Sequence, residues 1–125
     1  MRRPTGTRGD ERGSGTLLVV GVMAVVGVLA AVAMVAAAYL VAGHRARGAA
    51  DLAALSGAAA YAQGHAPCPA AARLARQNGG RLTHCDRVGD DVAYVVSVTV
   101  AVEVGIRPPG LPRVLSGQAH AGPLA

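Results

Sequence analysis

The sequence has no Trp, no Phe and no Lys, and only three Tyr and two Cys. Without Trp or Phe, the large rings that usually dominate core burial are missing, so any packed core is built from Val, Leu and Ala. The absence of Lys leaves twelve Arg as the whole basic complement, which against seven acids gives a formal charge of +5. These Arg are scattered, and none stands in a run with interleaved aromatics on which bases stack, so no nucleic-acid partner is expected. Charge is missing altogether from residues 13–43.

That uncharged stretch is nearly continuous Val, Ala, Leu, Met and Gly from Leu17 onward. At the helical rise it extends about 40 Å, enough to cross a bilayer. The reading is a transmembrane helix over 16–43, with the lipid bilayer as partner. A disordered cytoplasmic tail, 1–15, precedes it, and a small extracytoplasmic α+β domain, 44–125, follows. Arg2, Arg3, Arg8 and Arg12 precede the span while only Arg45 and Arg47 follow it closely, which places the N-terminus in the cytoplasm. The competing reading is a signal peptide cut after Ala38, in Ala36-Ala37-Ala38, releasing a small secreted binding module. The apolar run exceeds the roughly 7 to 15 residues of a signal h-region, which favours a retained anchor.

Past the span, residues 44–63 read as a helix that carries Leu52, Leu55 and Ala59 on one stripe, an outward continuation of the membrane helix or a separate helical shoulder. Gly64, Pro67 and Pro69 end it. A second helix is expected over 70–77, stopped by Asn78-Gly79-Gly80. The period then changes. A strand over 82–88, a turn at Gly89-Asp90-Asp91 and a long strand over 92–104 are expected, the last with Val96, Val98, Val100, Val102 and Val104 alternating with more polar positions. After Arg107-Pro108-Pro109-Gly110 breaks the ladder, 114–121 returns as a third, edge strand. The expected fold class is α+β: one N-terminal transmembrane helix, a helical shoulder and a pilin-like antiparallel sheet of two or three strands.

Cys68 and Cys85 are separated by a helix and a turn, an arrangement that suits a disulfide pinning helix to strand in an oxidising compartment. Closing a loop of this length stabilises by roughly 3 kcal/mol in the chain-entropy picture. Two free buried thiols are the plain alternative. A metal site using His65, Cys68, His84 and Cys85 is the sharper one, although adjacent His84 and Cys85 point to opposite faces of a strand. No cofactor and no small-molecule substrate are expected: no Ser, Cys or Lys stands beside a base in a known motif, and phosphate and dinucleotide fingerprints are lacking. The chain is therefore read as a non-enzyme. Asp51, an acid within an Ala-rich segment, and the small pair Gly27 and Ala31, four apart in the span, are the candidates for assembly contacts. Ala33 and Ala37 repeat that spacing.

RGSGTLLVV opens the apolar helix, HRARGAADLAALSGA follows it, and a Cys-bearing helix ends in QNGG before the strands. This combination, from about Arg12 to Pro123, resembles the TadE-like family, and in particular the actinobacterial minor pseudopilins of Flp or Tad pilus and secretion loci. The resemblance implies a membrane-embedded helix, a small extracytoplasmic head braced by Cys68 and Cys85, and other pilus or secretion membrane proteins as partners. The chain departs from the broader class at one point. Prepilins of that class often carry a Gly cleavage site with a Glu five residues into the mature helix, whereas no acid lies between Gly13 and His44 here. Processing by a prepilin peptidase is not expected.

Overall fold

The computed structural model describes residues 10–106 and 108–123, with side chains from Gly13 onward. Its elements are α1 (Asp10–Ala62), α2 (Pro67–Gln77), β1 (Arg81–Gly89), β2 (Tyr94–Glu103) and β3 (Val114–Ala121). The α+β class holds. The expected tail lies outside the described residues as far as residue 9, and from Asp10 the chain is already helical. The described residues fall into two units divided between Val35 and Ala36.

In the first unit, every large side chain from Leu17 to Met34 is exposed. The helix is long and apolar enough there to cross a membrane, by length and composition.

In the second unit, helices cover one face of an antiparallel meander of order β1-β2-β3. The alternation in β2 does what its period dictates: Val96, Val98, Val100 and Val102, with Val104 just beyond the strand, are 5% exposed or less. Each such burial is favourable by about 1.5 kcal/mol or more. Above them lies a stripe of small residues on α1, Ala42, Ala46, Ala49, Ala50, Ala53 and Ala54, joined by Ala71 and Ala75 of α2. The turn between β1 and β2 is longer than expected, so β2 starts at Tyr94 and not at residue 92.

The helical shoulder continues α1 without a break. Its buried face is not the stripe of Leu52, Leu55 and Ala59: Leu52 is 44% and Leu55 60% exposed, and Ala59 is exposed with them. Backbone contact explains the choice. A Cβ on Gly117 in β3 would stand 2.5 Å from the carbonyl carbon and oxygen of Ala46, and one on Gly57 would stand 3.1 Å from Val96 Cγ1. Only small residues let a helix lie that close to a valine face, so the leucines are turned outward.

α2 starts at Pro67, three residues before the expected residue 70, with Pro in its first turn where the missing N–H costs nothing. Asn78 closes it, its Nδ2 donating to Leu74 O at 2.9 Å.

Candidate assembly surfaces

The three tyrosines, which are all the aromatic residues of the chain, stitch α1 to the sheet layer. Tyr39 of α1 donates to Pro112 O at 2.6 Å, Tyr94 of β2 donates to Ala58 O at 3.0 Å, and Tyr61 of α1 donates to Asp91 Oδ1 at 2.8 Å. Taken with Ala46 against Gly117, the contacts show that α1 runs alongside β3 in the same direction. A hydroxyl is the long polar handle that a light core needs to fix a helix at its ends.

The β1–β2 turn lies at the C-terminal end of α1 and is held from several sides. Asp90 Oδ1 accepts from Ala93 N at 2.7 Å and from Val92 N at 2.9 Å. These backbone donors, Ala93 first, hold the Asp90 carboxyl below its usual range. Arg87 lies over the Tyr61 ring at 4.5 Å and donates to Gly89 O at 2.9 Å. Tyr61 and Tyr94 meet edge to face at 4.5 Å. The hydrogen bond to Asp91 raises the Tyr61 hydroxyl above its usual value, and the Arg87 guanidinium acts against it. An open groove of about 560 Å³ beside this cluster is lined by Tyr61, His65, Pro67 and Asp91. Val88 near the end of β1 and Val92 in the turn stand exposed, Val92 by 83%. A held turn that displays apolar side chains is suited to contact, and nothing in it is arranged as nucleophile and base.

Cys68 and Cys85, expected as a pair, form the disulfide, with Cα atoms 5.8 Å apart. Both sulfurs are therefore engaged with each other, and the four-ligand metal arrangement has no thiolates to use. His65 and His84 are both exposed, His65 in the groove. Asp51 is exposed on the outward side of α1, next to Leu52. Gly27 and Ala31 are exposed in the apolar unit, with open space around Gly27. The structure thus separates these candidates into the apolar helix, the outward face of the shoulder and the disulfide brace.

Sequence reasoning missed the Tyr61, Arg87 and Asp91 cluster; the rarity of tyrosine was its only signal. It also missed that His120 Nδ1 lies 2.7 Å from Ser97 Oγ. That pair sits directly across from one another on β3 and β2, and Asp86 of β1 faces Ser97 from the other side. In this row the Ser is central, whereas a hydrolytic triad needs the His between acid and nucleophile. On an exposed sheet face the row is a set of cross-strand contacts.

No family model, curated protein or solved structure matches this chain.

Proposed function

We propose that the chain is a membrane-anchored minor pseudopilin or assembly subunit of a Tad- or Flp-like pilus or secretion apparatus, working through protein–protein contacts and without catalysis. The apolar run of α1 is its single-pass anchor in the cytoplasmic membrane. Its N-terminus is cytoplasmic and its head extracytoplasmic, as the flanking Arg bias favours. A disulfide between Cys68 and Cys85 supports an oxidising compartment for the head.

The observation that carries the reading is the outward side of α1 in the head. Its small residues are used against the sheet, and Leu52 and Leu55 are left exposed beside Asp51. Large apolar side chains on a helix surface are a recognisable docking element, and an acid next to them selects for a basic partner. In the membrane, Gly27 and Ala31 offer the close approach that lateral helix packing uses.

The test is photo-crosslinking from Leu55 in native membranes, combined with the intact mass of the extracted protein. Adducts with pilus or secretion membrane proteins, on a chain that retains its apolar segment, support the proposal. A mature chain beginning at Tyr39 would replace it with the secreted module, and adducts with no such partner would end it.

A further inference from the structure

The two edges of the sheet are built differently. The outer edge of β1 carries Arg81, Asp86 and Arg87, breaks its register between Leu82 and His84, and is tied through Cys85 to α2. Charges, bulges and covering elements are the devices that keep a strand edge from pairing with another chain. β3 has none of them. Its sequence is Val-Leu-Ser-Gly-Gln-Ala-His-Ala, without Arg, acid or Pro. Its pairing with β2 runs unbroken from Val114 opposite Glu103 to Ala121 opposite Val96. Among the described residues no strand lies on its other side.

The direction of each backbone group on that edge follows from one hydrogen bond. Val104 N donates to Arg113 O at 2.9 Å, so residue 113 faces β2. In an antiparallel ladder the sense alternates. Leu115, Gly117, Ala119 and Ala121 therefore turn their N–H and C=O toward β2, while Val114, Ser116, Gln118 and His120 turn theirs to the open side. Thr99 fits the same alternation, since its carbonyl faces β1 and accepts from Thr83 Oγ1 at 3.2 Å. The open residues are also exposed, and the only ring among them, His120, is engaged with Ser97.

We propose that the outer edge of β3 is a strand-addition site whose occupant is an extended, uncharged segment of a different protein. An edge without Arg, acid or Pro accepts a strand without leaving an ion pair unmet, and its backbone groups supply the affinity. Given the proposed membrane anchoring, on which this step rests, a second copy of this chain is the wrong occupant. Because α1 runs alongside β3, antiparallel pairing of β3 with its own copy would point the membrane-proximal ends of the two α1 helices in opposite directions. Symmetric parallel pairing would set the outward groups of the two copies level, whereas a parallel ladder needs them staggered.

The alternation supplies the test. Gln118→Pro removes an N–H that faces only the open side, and the ladder to β2 keeps all its bonds; Ser116→Lys adds a guarding charge without touching the backbone. Photo-crosslinking is carried out in native membranes from position 116 in the Gln118→Pro background, from position 118 in the Ser116→Lys background, and from each position alone. Crosslinking from Leu55 runs in parallel, and the Cys68–Cys85 disulfide and thermal unfolding report the fold. The proposal expects adducts to another protein from both edge positions, lost in both backgrounds while unfolding temperature and disulfide are unchanged. It is overturned if edge adducts persist in the folded variants, if the adduct is a second copy, or if Leu55 crosslinks and the edge does not. That last result leaves the assembly reading standing, whereas silence from Leu55 and the edge together removes both.

Discussion

Gly117 of β3 lies against the backbone of Ala46 in α1, so close that a Cβ there would stand 2.5 Å from the Ala46 carbonyl. Neither side of that contact is a side chain that could swing away. Gly117→Ala should therefore push helix and sheet apart and destabilise the head by about 2 kcal/mol, the scale of overpacking a tight core. Gly48 sits in the same helix, where an added methyl group would meet nothing within 4 Å. Gly48→Ala should stabilise by about 0.5 to 1 kcal/mol through helix propensity and a less free unfolded chain. Thermal unfolding of the detergent-solubilised protein should move in opposite directions for the two.

The brace between Cys68 and Cys85 closes a separation of 17 residues. Replacing both with Ser should cost about 3 kcal/mol by the chain-entropy relation. Reductant should lower the unfolding temperature of the wild type toward that of the double variant and leave the double variant unchanged.

Leu55 and Val98 are both large and apolar, yet Val98 is 1% exposed and Leu55 60%. Val98→Ala should cost about 2 kcal/mol in lost burial and residual cavity. Leu55→Ser should leave the unfolding temperature almost unchanged and weaken partner adducts in the membrane. Loss of stability in Leu55→Ser would mean that this face is packed within the chain and is no docking surface.

The turn cluster should show itself at both ends of the pH scale. The Asp90 carboxyl is lowered by the N–H groups of Ala93 and Val92. Its contribution is therefore complete above the unfolded value, near pH 4, and is lost as pH falls through the lower folded value. The gap in unfolding temperature between wild type and Asp90→Ala should be constant near neutrality and close below about pH 4. Tyr61 is raised by its bond to Asp91. Its contribution is complete below about pH 10 and fades as pH rises through the folded value, so the gap to Tyr61→Phe should close in alkali.

Much of the fold is legible in local pattern. Five valines at every second position from 96 to 104 announce a strand with one buried face, and Asn78-Gly79-Gly80 announces the end of α2. Two cysteines, one in the first turn of that helix and one in the strand after it, suggest their own bond. The face that α1 buries is not legible in the same way. Its periodicity offers Leu52 and Leu55 for burial, and hydrophobicity alone prefers them to alanines. The choice is made by Gly117, more than fifty positions away, because the approach of two backbones is a property of the pair. The bond between Tyr61 and Asp91 is equally remote in sequence, spanning 30 positions. Nor do the open carbonyls and amides of β3 have a sequence signature, since they depend on the sense of one ladder bond.

The parallel run of α1 and β3 also decides how the head responds to force. A pull on the Ala36 end of α1 acts along the helix axis, and the helix is fixed near that end by Tyr39 on Pro112 and near the other by Tyr94 on Ala58 and Tyr61 on Asp91. Such a load slides helix against sheet, so the stitches and the alanine–valine layer resist together. A load across the axis would open them one after another. The same contacts thus make a joint that is strong in shear and weak in peeling.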